Sequence, residues 1–98
     1  MSEQSVVAYF SSLAVSQEAP AWSRLVQDVT DVVEMGTGGE VDGPWDADEE
    51  QAVTAYGPSA EELWELMAPL LRAFTVRGGR VVLRFGEGDS APTRTIRL

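Results

Sequence analysis

The chain has 98 residues, with 7 basic against 16 acidic side chains and a formal net charge of -9; its pI is near 4.2. That length allows one domain (1–98) with one modest core, and the 44% hydrophobic and 23% charged shares are those of a folded chain rather than a disordered one. His, Cys, Lys and Asn are all missing, which excludes the usual zinc, haem and iron–sulfur ligand sets, His-based triads, a Lys Schiff base, a phosphate loop with its lysine, and N-glycosylation.

Met1-Ser2-Glu3-Gln4 lacks the basic start of a signal peptide. The apolar patch from Val6 to Val15 is broken by Ser11 and Ser12 and is too short to span a bilayer. The expectation is a cytoplasmic protein with no membrane partner. Its basic residues are all Arg, a composition typical of GC-rich bacterial genomes.

Val6, Ala8 and Phe10 alternate with Val7 and Tyr9, the two-residue period of a strand. A Ser-rich and Gln-Glu-Ala-Pro passage follows, with Pro20 placed for the first turn of a helix. Trp22, Leu25, Val26, Val29, Val32 and Val33 recur at helical spacing, with Arg24, Gln27, Asp28 and Asp31 on the other face and Gly36 as the expected stop. Its valines lower helix propensity, so this helix needs a packing face to form. Glu40-Val41-Asp42 reads as a short strand, Gly43-Pro44 as a turn, Asp46 to Glu50 as an acidic loop or hairpin tip, and Ala52 to Tyr56 as a strand stopped by Gly57-Pro58.

Ser59 with Glu62 is a capping box. Leu63, Leu66, Met67, Leu70 and Phe74 form the stripe of a second helix, flanked by Trp64 and Leu71 and interrupted by Pro69. Gly78-Gly79 is a turn. Val81, Leu83 and Phe85 then alternate with Arg80, Val82 and Arg84, and Thr93 to Leu98 reads as a last strand. The order predicts an α+β fold, a ferredoxin-like βαββαβ sandwich with an extra C-terminal strand. Two helices should lie on one face of a mainly antiparallel sheet.

Charge is the strongest functional signal. Asp28 to Glu65 holds twelve acidic residues and no basic one, whereas Arg72 to Leu98 holds six Arg and two acids. Two readings follow: a solvated, solubilising belt, or an anionic surface that steers toward a protein with a basic surface. In the second reading Glu40, Asp42, Trp45, Asp46, Asp48, Glu49 and Glu50 are the partner-binding residues. Trp45 is then an aromatic anchor ringed by acids, and the alternative is a Trp folded over the sheet edge as core. Trp22 is expected in the core, while Trp64 sits at the margin of its stripe.

The acid run at Asp46 lacks the glycine that a calcium loop needs at its sixth position, where Gln51 stands. No cofactor or metal is therefore expected. No carboxylate pair is marked as one buried and one exposed, so the expectation is not an enzyme. Tyr9, Tyr56, Arg80 and Arg84 form a second candidate site on the open sheet face, for self-association as a homodimer or for a small ligand. That face mimics a base-stacking sheet, but the net charge opposes a polyanion, and nucleic acid is not an expected partner.

Three stretches carry a resemblance: Glu40-Val41-Asp42-Gly43; Thr54-Ala55-Tyr56-Gly57-Pro58-Ser59-Ala60-Glu61-Glu62-Leu63-Trp64; and Ala68-Pro69-Leu70-Leu71. Over residues 40–72 the chain resembles small uncharacterised bacterial proteins and, more distantly, the RraB group. That group comprises acidic ferredoxin-like proteins that inhibit ribonuclease E. Pro44-Trp45 and the acid run depart from the strand expected between Gly43 and Tyr56. The resemblance implies the ferredoxin-like fold and an inhibitor role; with the acidic belt, the expectation is a non-catalytic protein-binding module, an inhibitor or immunity-type protein occluding the basic surface of a nuclease or toxin.

Overall fold

The computed structural model describes residues 3–74, 76, 78–87 and 90–98. The described elements are β1 (Gln4–Ser11), α1 (Ser12–Gln17), α2 (Ala19–Thr37), β2 (Glu40–Ala47), β3 (Glu50–Gly57), α3 (Ala60–Ala73), β4 (Arg80–Arg84) and β5 (Thr93–Arg97). The strands form one sheet in the order β2-β3-β1-β4-β5, and every neighbouring pair is antiparallel. This is an α+β fold. Since β3 opposes both β1 and β2, those two run parallel, and α2 carries the chain across the strand between them. By the same logic α3 links the parallel strands β3 and β4 across β1.

Alternation sets the core. Val6, Ala8 and Phe10 on β1, Val53 and Ala55 on β3, and Val81 and Leu83 on β4 are buried together with Trp22, Leu25, Val29 and Val33 of α2. Ala60, Leu63, Met67 and Leu71 of α3 complete the same cluster, so both long helices cover one face. Phe10 is its aromatic hub, edge-on to Trp22 at 5.7 Å and to Phe74 at 5.1 Å between ring centroids. Trp22 is core, as its stripe position predicts, although its Nε1 is buried without a hydrogen-bond partner among the described residues. Trp64 is half-buried, with the Arg72 guanidinium 5.6 Å from its ring.

Ser59 caps α3 by accepting from the Glu62 amide, and the Gln4 side chain of β1 accepts from the Ala60 amide at the start of α3. The α3 helix runs through Pro69, which is exposed. Three local expectations are corrected. The Ser-rich passage after β1 forms a third helix, α1, with Ser11 as its cap and Val15 tucked into the core. Gly36 does not stop α2; the helix continues to Thr37 and ends at Gly38, whose φ of 69° satisfies the left-handed cap. Gly36 instead lies against Leu66, a close crossing point of α2 and α3. Finally, Gly43-Pro44 is not a turn: β2 continues through it with a bulge, and Pro44 is tolerated because β2 is an edge strand. No helix among the described residues is long and apolar enough to cross a membrane.

Candidate functional site: the open sheet face and the acidic hairpin

Opposed residues of an antiparallel pair point to the same side of a sheet, so the strand registers define the face that α2 and α3 leave uncovered. Three rows cross it. Glu40, Tyr56, Ser5, Arg84 and Thr93 form the first; Asp42, Thr54, Val7, Val82 and Thr95 the second; Trp45, Ala52, Tyr9, Arg80 and Arg97 the third. A shallow cavity of about 390 Å³ lies over them, with Val7, Thr54 and Val82 beneath it and Tyr9, Tyr56, Trp45 and Arg84 around it. The four residues of the second candidate site therefore share this face.

Trp45 reaches the face because of the bulge. Between Asp42 and Trp45 the register slips by one residue, so Trp45 pairs with Ala52 and falls on the same side as Asp42. There its Nε1 donates to Thr54 Oγ1 at 2.9 Å, and its ring meets Tyr9 edge-on at 6.0 Å. It stays 37% exposed and outside the core cluster. Neither sequence alternative describes it fully: it is packed on the open face and still offers much of its ring to solvent.

Next along the row, the Arg80 guanidinium lies 4.0 Å from the Tyr9 ring centroid and donates to Glu50 Oε1 at 2.8 Å. Trp45, Tyr9, Arg80 and Glu50 thus tie four strands together. Both charged side chains keep over a third of their surface in water, so the ion pair contributes about 1 kcal/mol at most. Its consequence is mainly geometric: it spends Glu50 on an internal contact.

The remaining partner-binding candidates stand along the β2–β3 hairpin. Glu40 and Asp42 are exposed on the open face at the β2 edge. Asp46 pairs with Gln51, whose Nε2 donates to its carboxylate. Asp48 and Glu49 form the two-residue tip, Asp48 with φ 52°, a conformation Asp tolerates well. The Glu49 carbonyl accepts from the Ser12 amide at 2.9 Å, which fastens the tip to the start of α1. Among the described residues, Glu50 alone of these six carboxylates meets an Arg of this chain. The wider acidic belt divides. Asp28, Asp31 and Glu34 sit on α2 and Glu61, Glu62 and Glu65 on α3, the helices that cover the opposite side of the sheet from the open face. No group of three carboxylates among the described residues is arranged to hold a metal ion.

Sequence reasoning missed Thr54, which fixes the indole, and Val7, Val82 and Arg97, which complete the rows. The signal was the alternation itself: Val7 shares its phase with Tyr9, and Val82 shares its phase with Arg80 and Arg84. No family model, no curated protein and no solved structure matches this chain.

Proposed function

We propose that this protein is a non-catalytic binding module whose β2–β3 hairpin engages a protein with a basic surface. An inhibitor or immunity-type role in the bacterial cytoplasm, against a nuclease or toxin, is the specific form. The observation that carries this reading is a Trp45 left 37% exposed, fixed by Thr54, on a hairpin whose acids other than Glu50 lack an internal Arg among the described residues. Charge would speed encounter, and burial of a pre-positioned ring would hold the complex. The RraB-like stretch, residues 40–72, is the β2–β3–α3 segment and supports the inhibitor form. The ferredoxin-like form of the α+β fold, with an extra C-terminal strand, is supported by the βαββαβ order around a central β1, with α1 as a further addition.

The test is capture from a bacterial host lysate with wild type, with a D46N/D48N/E49Q tip variant and with W45A. One basic protein should be held by wild type and lost from both variants. Its association rate should fall about tenfold or more between roughly 20 and 200 mM salt. Equal capture by the tip variant, or a rate indifferent to salt, overturns the reading.

A second reading, a self-associating or ligand-binding sheet, is favoured by a separate observation. Tyr9, Tyr56, Arg80 and Arg84 share an open face with a cavity of about 390 Å³.

A further inference from the structure

We propose that the open face packs against the open face of a second copy of this chain, about a two-fold axis running along β1. This rests on the second, sheet-face reading above and names its occupant.

The face has an apolar centre and charged flanks of opposite sign. Val7, Tyr9 and Val82 are only half-buried, and Ala52 and Thr54 lie beside them. Glu40 and Asp42 stand on the β2 side; Arg80, Arg84 and Arg97 stand on the β4–β5 side. Glu3 and Glu87 are further acids, lining the cavity at the end beyond the Arg84 row. Among the described residues no helix covers this face.

Charge decides how two such faces can meet. An in-plane two-fold axis across the strands would set β2 over β2 and acid over acid. An axis along the strands separates the β2 acids and leaves Glu3, in phase with Ser5 and Val7 of β1, as the acid that comes near its own copy. Because β1 is the middle strand of five, that axis lays β3 over β4 and β2 over β5. Glu40 and Asp42 of each copy then lie over Thr93 and Thr95 of the other, with Arg84 one strand to the side of Glu40 and Arg97 one row along from Asp42, within reach of long side chains and repeated twice, as a self-complementary interface requires. Val7 meets Val7 on the axis, and Tyr56 lies toward the guanidinium of Arg84 in the second copy. The two sheets come out aligned, a standard way for sheets to stack.

Size sets the strength. Five strands about 4.8 Å apart, each contributing about five residues of ~3.3 Å rise, make a face of roughly 20 by 17 Å. Each copy then hides on the order of 500 Å², the small end for a specific interface, and the expected association is micromolar. The hairpin tip stays outside it, because β1 pairs with β4 only from Ser5 to Tyr9 while β2 and β3 run on to Ala47 and Glu50. Trp45 lies on the border of both surfaces.

Sedimentation from about 1 to 200 μM tests this. Wild type should pass from the 10.6 kDa monomer to a species of twice that mass. E40R/D42R and R84E/R97E should each remain monomeric, with circular dichroism confirming that they fold; the single exchanges E40R and R97E serve if either does not. An equimolar mixture of the two should recover the dimer, since reversed acids now face reversed bases. The tip variant D46N/D48N/E49Q should dimerise like wild type. A monomer throughout the range overturns both this proposal and self-association, leaving the hairpin reading intact. A dimer that neither charge variant weakens leaves self-association standing and overturns this face. Two folded variants that fail to recover a dimer on mixing overturn the charge pairing.

Discussion

On β1, Val6, Ala8 and Phe10 point toward the helices and are almost inaccessible, whereas Val7 and Tyr9, their immediate neighbours, point the other way and keep contact with water. The same strand thus builds two surfaces with different physics. The helix side is held by close apolar packing, where each lost methylene costs burial and leaves a void. On the open side a few polar and aromatic contacts hold Trp45, Tyr9 and Arg80 in place without covering them. One face supplies most of the stability, and the other stays open to solvent.

The contrast is most severely tested on adjacent residues. Phe10→Ala removes the hub between Trp22 and Phe74 and should cost about 3–5 kcal/mol in urea unfolding. Tyr9→Ala should cost only about 1–2 kcal/mol. Equal losses would mean that the open face is as structural as the core. A smaller effect is expected at Thr54, which is 4% exposed and accepts the indole proton. Thr54→Val should cost about 1 kcal/mol and speed solvent exchange of the Trp45 indole proton in NMR. An unchanged exchange rate would mean that Thr54 does not fix the ring. The smallest effect concerns Glu50 and Arg80: a double-mutant cycle with Glu50→Gln and Arg80→Gln should give a coupling of about 0.2–1 kcal/mol, shrinking in about 1 M salt. A coupling several times larger would show that this pair carries the open face structurally.

Much of the architecture could be read from residue order because its signals are local. The phase of Val6, Ala8 and Phe10, the Ser59 cap, and the stripes of α2 and α3 each act within a few residues and agree with the tertiary structure. The misreadings fall where local preference is weak. Ser and Gln at 11–17 favour no strong element, and α1 forms there with Val15 buried in the core. Gly36 is a poor helix residue, yet α2 passes through it because Val33 is buried and Gly38 supplies the left-handed cap two residues later.

The candidate site shows the same division. Tyr9, Arg80 and Arg84 follow the phase of their own strands, and Tyr56 joins them because the expected βαββαβ order makes its strand a neighbour of β1. Alternation would have sent Trp45 to the opposite side from Asp42. The bulge at Gly43-Pro44 inserts one residue and reverses that. Likewise, Arg80 and Glu50 are thirty positions apart and meet only because β1 lies between their strands. Sequence by itself determined which residues alternate, cap and carry charge, because those properties belong to short stretches of chain. Tertiary structure decided which way Trp45 turns and which acid is already partnered, because both depend on strand pairing between distant segments.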